Sequence, residues 1–368
     1  MTIHRRDFLV SGAALAATAT LPRAAFAQAA FAPKPGSWRT FEIVTRLEVA
    51  NQNGPAQAWI PVPSVNEADW FKTLDNKWTT NGKAALARDP KSGAAMVHVE
   101  WPASEQNPAV EVTSRISTRD RAIDLTRPGK AAQLSAAERT LYTNATAHIP
   151  TDGIVKETSD KIVAGAKAAN DIEKARAIYE WIVDNTYRDA KVRGCGIGDI
   201  AALLKSGNLG GKCADLNALF VGLARAQGIP ARDIYGIRVA PSAFGYKSLG
   251  ANSATITNAQ HCRAEVNLAG FGWVPMDPAD VRKVVLEEPP GNLAVNDDKV
   301  IAARKALFGA WETNWLAYNF ALDVTLPGAK GGEINFLMYP QAETVAGRLD
   351  CLDADTFKYA ITAKQIAA

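Results

Sequence analysis

Histidine and cysteine are scarce, with four of each in 368 residues. His4 lies in a segment expected to be removed, which leaves His98, His148 and His261 as the imidazoles available for acid–base chemistry. There is no Cys-x-x-Cys pair and no His-x-x-x-His pair, so the usual zinc ligand spacings are missing and no metal is expected. Beyond the N-terminus no run approaches the roughly 20 apolar residues that span a bilayer, so no membrane span is expected in the mature chain. Blocks of one charge sign are also missing and the net charge is only +3, which argues against nucleic acid or an anionic membrane as partner. No Gly-x-Ser-x-Gly elbow occurs. Gly194-Cys-Gly-Ile-Gly198 has the wrong spacing for a nucleotide loop and reads as a turn, and Gly210-Gly-Lys-Cys213 lacks the upstream glycine and the Ser/Thr of a P-loop. No cofactor is therefore expected.

What is present begins with Arg5-Arg6, a short apolar run from Val10 to Leu21, and the small-x-small triplet Ala25-Phe26-Ala27. This order reads as a twin-arginine signal over residues 1–27. It places the mature chain, from near Gln28, in the periplasm or otherwise outside the cytoplasm. The remainder is long enough for two or three domains.

From 36 to 125 the pattern is β. In Phe41–Val49 apolar and polar residues alternate, the period of a half-buried strand. Ala58–Val62, Met96–Trp101 and Val110–Thr118 repeat it, which suggests an N-terminal β-sandwich. His98 falls in one of these strands and reads as structural. Helical signals follow within a core expected over 130–290: a capping box at Ser135–Glu138, a helix near 152–168, Asp171 as the cap of another, and Asp199 capping a short one. The clearest helix starts at Cys213, carries Leu216, Leu219, Phe220 and Leu223 on one face, and stops at Gly228 and Pro230. Strands are expected over 232–240, 262–268 and 273–277, and over the alternating Leu316–Val324. A β-rich extension is expected over 305–368.

Cys213 is the candidate nucleophile. The first turn of a helix carries partial positive charge and unpaired N–H groups, which favour a thiolate over a free thiol of pKa about 8.5. His261 and Asp277 lie on two segments joined by the tight Ala269-Gly-Phe-Gly272 turn. A hairpin centred near 270 sets position 261 across from about 279, with Asp277 a near diagonal neighbour. A carboxylate there could orient the imidazole and stabilise its charged form.

The run Gly210–Arg232 around Cys213 resembles the cysteine helix of the transglutaminase-like superfamily. His261-Cys-Arg-Ala-Glu265-Val, followed by Gly272-Trp-Val-Pro-Met-Asp277-Pro, resembles its histidine and aspartate strands, and Trp181–Tyr187 its approach to the core. The resemblance covers roughly 170–280. It implies an α+β fold with a papain-like core, the cysteine helix packed on an antiparallel sheet. It implies Cys213 as nucleophile, His261 as base, Asp277 as orienting carboxylate, and Tyr187 as a weaker candidate for an oxyanion donor. The family usually has alanine and then an aromatic after the histidine, whereas here Cys262 and Arg263 follow it. A disulfide between Cys195 and Cys262 is one reading of these thiols. A redox brake on Cys213 is another, which a stable Cys195–Cys262 bridge or a distant Cys262 would exclude.

The expected activity is that of an exported thiol enzyme acting on amide bonds, through an acyl-enzyme on Cys213, in a peptide, protein or peptidoglycan stem. Transfer to water or to an amine is left open. The rival is a catalytically silent module that binds a peptide or envelope partner, with Trp311 and Trp315 lining the groove.

Overall fold

The structure is a computed structural model, which describes residues 31–50 and 54–367. The signal segment lies outside these residues. Its centre is an antiparallel four-stranded sheet in the order Gly272–Met276, Gln260–Leu268, Ala231–Arg238, Trp315–Asn319. The register Ala264↔Met276 to Leu268↔Gly272 carries residue 261 toward 279, the pairing that a turn centred at 270 dictates. Asp277 then leaves the strand and caps the helix Pro278–Glu287.

The helix Cys213–Ala226 packs on the two middle strands and is buried at all but one of its residues, Asp215. Its apolar periodicity alone does not account for so complete a burial. The helices Gly153–Gly165 and Asp171–Asn185 cover its remaining faces. The second of these is capped by Asn170, whose Oδ1 accepts from the Glu173 N–H at 3.0 Å, while Asp171 takes the first helical position. Ser135 and Glu138 form the expected capping box, and Asp199 caps Ile200–Ser206.

Two further antiparallel sheets enclose a second apolar cluster that includes Leu47, Ile60, Val97, Val112 and Ala342. One has the order Lys358–Ala367, Arg39–Glu48, Ala109–Thr118, Phe71–Thr80. The other has the order Gly347–Arg348, Gln341–Thr344, Ala56–Pro61, Ala95–Trp101, Lys83–Arg88. Residues after 305 are thus divided: Trp315–Asn319 completes the central sheet, and the later strands join the sheets begun by the first hundred residues. The expected strand over 316–324 stops at Asn319, whose Nδ2 donates to the Leu337 carbonyl at 2.8 Å. All five strand residues are buried, so the alternation there does not mark one wet face.

The cysteine helix comes close to its neighbours at Gly222. A Cβ there would lie 2.1 Å from Ile200 Cδ1 and 3.0 Å from Ile149 Cγ2. Gly222→Val overpacks this contact and is expected to cost about 1–3 kcal/mol, read as a lower urea midpoint at unchanged slope. An unchanged midpoint would show that the helix is free to move away.

Candidate active site

Cys213 is the first residue of its helix, buried at 3% exposure, and forms part of the wall of a cleft of about 810 Å³. The turn before it is held by Asp215. That carboxylate accepts from the backbone N–H groups of Lys212, Ile197 and Gly198 at 2.9, 3.0 and 2.9 Å. The loop can lie against Asp215 because Gly196, at φ +94°, has no side chain; a Cβ would sit 1.9 Å from its Oδ2. The loop in turn delivers the Cys195 carbonyl to the Ala214 N–H at 2.9 Å. One of the helix's first donors is therefore committed, and the Cys213 N–H makes none of the described backbone hydrogen bonds.

His261, also buried, directs Nε2 to Asp277 Oδ2 at 2.8 Å, and Asp280 Oδ2 lies 3.3 Å from the same nitrogen. With a carboxylate accepting at Nε2, the other ring nitrogen is left for Cys213. Asn217, one helical turn beyond Cys213, donates to Asp277 Oδ1 at 3.1 Å and to the Cys262 carbonyl at 2.9 Å. Trp315 Nε1 donates to the His261 carbonyl at 3.1 Å. Arg238 clasps both oxygens of Asp280 at 2.6 and 2.8 Å. The Arg263 guanidinium lies over the Trp315 and Trp311 rings at 4.7 and 5.3 Å, with Nε 3.6 Å from Asp277.

The electrostatics follow from this arrangement. Burial pulls the His261 pKa down, but the nearby Asp280 and Asp277 more than reverse it, to about 9. Burial opposes ionisation of Cys213, yet the neighbouring Cys195, Cys262 and His261 side chains hold its pKa well below the usual thiol range. Burial likewise opposes the charge on Asp280, and the Arg238 contact overrides it, keeping that carboxylate well below its ordinary pKa. Burial and the neighbouring Asp280 raise Asp277. The geometry favours a thiolate–imidazolium pair.

Cys213, His261 and Asp277 are thus brought together. Other expected placements differ. Tyr187 is 42% exposed, directs its hydroxyl to Asn208 Oδ1 at 2.6 Å, and does not line the cleft. Cys195 and Cys262 are free thiols rather than a bridge. Their sulfurs and that of Cys213 all lie within 4.8 Å of one another. Trp311 and Trp315 are fully buried and seat Arg263, so they line no groove. His98 stacks on Trp59 in the outer sheet at 5.3 Å, and His148 faces Asp199 at 3.8 Å. Asp215, Asn217, Arg238, Asp280 and the supporting role of Trp315 were not foreseen. A lone asparagine in an apolar helix and an acid three residues after Asp277 were the signals available.

Alkylation of Cys213 by iodoacetamide, followed by peptide mass spectrometry, reads this directly. It should be fast well below pH 8.5. In His261→Ala, return to an ordinary thiol should slow it by roughly thirtyfold at pH 7. Asp280→Asn should move the profile upward, because the imidazolium loses an anion. The raised His261 pKa adds stability that is complete below the ordinary value of about 6.5 and is lost as pH rises through about 9. A profile unmoved by either variant would exclude the pairing.

Comparison with known proteins agrees with this architecture. Residues 156–278 match the model of the transglutaminase-like superfamily core, and residues 2–22 match the twin-arginine translocation signal, so the chain is directed to export. Among described residues no helix is long and apolar enough to cross a membrane. An uncharacterized protein of Haemophilus influenzae is 40% identical over 328 residues, spanning 85% of this chain and 87% of its own. A crystal structure from Cytophaga hutchinsonii, described as a candidate cysteine protease, superposes with a TM-score of 0.50 at 14% identity, over 90% of this chain and 99% of that one. The periplasmic domain of TgpA from Pseudomonas aeruginosa matches with a TM-score of 0.34 at 14% identity, over 67% and 88%. With its papain-like α+β fold, its core matched over residues 156–278 and a relative 40% identical over 85% of its length, this chain belongs to the transglutaminase-like superfamily.

Proposed function

We propose that this protein is an exported, periplasmic thiol hydrolase that cleaves an amide bond through an acyl-enzyme on Cys213. The observation that carries the reading is the buried Cys213–His261–Asp277 constellation opening on a cleft. In the forward step the thiolate attacks the carbonyl, and the Cys213 N–H, at the positive end of its helix, is placed to meet the oxyanion. His261 gives its proton to the leaving amine and then takes one from water, while Asp277 and Asp280 stabilise its charged form. Water is preferred as acceptor because it is the nucleophile in greatest excess at a solvent-open cleft. A peptide or a peptidoglycan stem is the substrate class. A binding-only role has less support, since Cys213 is a free thiol on the cleft wall and the tryptophans that would line a groove are buried.

Incubation of the mature protein with peptide and muropeptide amides, followed by mass spectrometry, should give free acid products. Cys213→Ala should abolish turnover by at least about a thousandfold. Adding a primary amine such as hydroxylamine should divert part of the product to the amine adduct. Exclusive transfer to the amine, with no free acid, would make the protein a transamidase instead.

A further inference from the structure

The cleft wall contains Arg188, Arg193, Lys212, Lys283 and Lys358, with Arg238 deeper, and not one Asp or Glu. These six cations have only three counter-ions. Arg188 and Lys283 share Glu287, and Arg193 takes Asp350. Arg238 is held by Asp280, and neither Lys212 nor Lys358 has an ion-pair partner among the described residues. Burial chiefly lowers the Lys283 pKa; Arg238 and Arg188 lower it further, and Glu287 and Asp280 offset them only in part. Arg188 pairs with Gly211, and Lys212 immediately precedes Cys213, so the excess charge flanks the nucleophile. We infer that the substrate is anionic: the amide cleaved at Cys213 carries carboxylates in the positions that flank it. This deepens the hydrolase reading and rests on it for the word substrate.

The test separates the two by using Cys213→Ala, which cannot turn over. Peptides bearing an uncharged dye are titrated by fluorescence anisotropy. One carries glutamates with an amidated end, one is neutral with a free C-terminal carboxylate, one is neutral and amidated, and one carries lysines. A carboxylate peptide should bind about tenfold tighter (~1.4 kcal/mol) than the neutral amide, with the lysine peptide weakest. The two carboxylate peptides tell side-chain anions from a chain terminus. The preference should shrink between roughly 0.05 and 0.3 M salt and in Lys212→Gln/Lys358→Gln, whose side chains are not buried. Equal or absent binding of all four, or a preference untouched by salt and by both lysines, overturns the inference. An inert wild-type Cys213 would overturn only the hydrolase reading.

A second observation stands apart from the cleft's charge. Two buried thiols, Cys195 and Cys262, flank the nucleophile, the three sulfurs lying within 4.8 Å of one another. Cys195 lines the cleft and Cys262 does not, and the Cys195 backbone is tied to the nucleophile's helix through Ala214. The geometry points to Cys195 as a resolving thiol that captures oxidised Cys213 as a disulfide. Hydrogen peroxide accepts two electrons from the Cys213 thiolate: an S–O bond forms, the O–O bond breaks and hydroxide leaves. Cys195 sulfur then attacks Cys213 sulfur, the S–O bond breaks, and water departs with the Cys195 proton. The Cys213 thiolate is the leading cause raising Cys195, and oxidation removes it. After peroxide, non-reducing peptide mapping should show a Cys195–Cys213 link that dithiothreitol reverses. Cys195→Ser should instead accumulate sulfinic and sulfonic Cys213, and Cys262→Ser should behave as wild type. Equal over-oxidation with and without Cys195, or a link to Cys262, overturns it.

Discussion

The structure depends on keeping one buried imidazolium charged. His261 is buried, and burial alone would strip its proton. Two carboxylates reverse that cost, and a cluster of two buried negative charges would itself be intolerable without Arg238 and Arg263 behind it. The five groups form a unit in which no member can be removed cheaply, since each deletion leaves a buried charge without its partner. The thiolate is the sixth member. Its stability derives as much from this unit as from the helix end on which it sits.

The unit also explains why the scaffold is built as it is. Asp277 ends a strand and starts a helix, so one residue serves as cap, as partner of His261 and as acceptor for Asn217. Asn217 ties the cysteine helix to both the carboxylate and the histidine strand. Trp315 reaches across from the opposite edge of the sheet to hold the His261 carbonyl and, with Trp311, to seat Arg263. Arginine in place of an aromatic after the histidine is therefore compensated by aromatics on another strand.

Much of this was legible in the chain because its signals are local. The apolar period and the Gly228 stop gave the cysteine helix, and the tight turn at 270 gave the register that brings 261 and 277 together. What was not legible depends on contacts between distant segments. Nothing near Arg238 points to Asp280, and nothing near Trp315 points to a backbone carbonyl at 261. The alternation over 316–324 misled because a strand buried on both faces has no reason to alternate. Tyr187 matched by position in sequence, but its hydroxyl is satisfied locally by Asn208.

The strand Arg39–Glu48 is paired along its length with Lys358–Ala367, and Arg39 hydrogen-bonds to Gln365 across 326 residues. That pairing has a consequence for biogenesis. This sheet is complete only once Lys358–Ala367 has been made, more than 300 residues after the strand it pairs with, so its closure comes late in synthesis. Non-local closure of this kind is slow. An export route that accepts finished proteins leaves time for it, whereas threading an unfolded chain would postpone the same closure to the far side of the membrane.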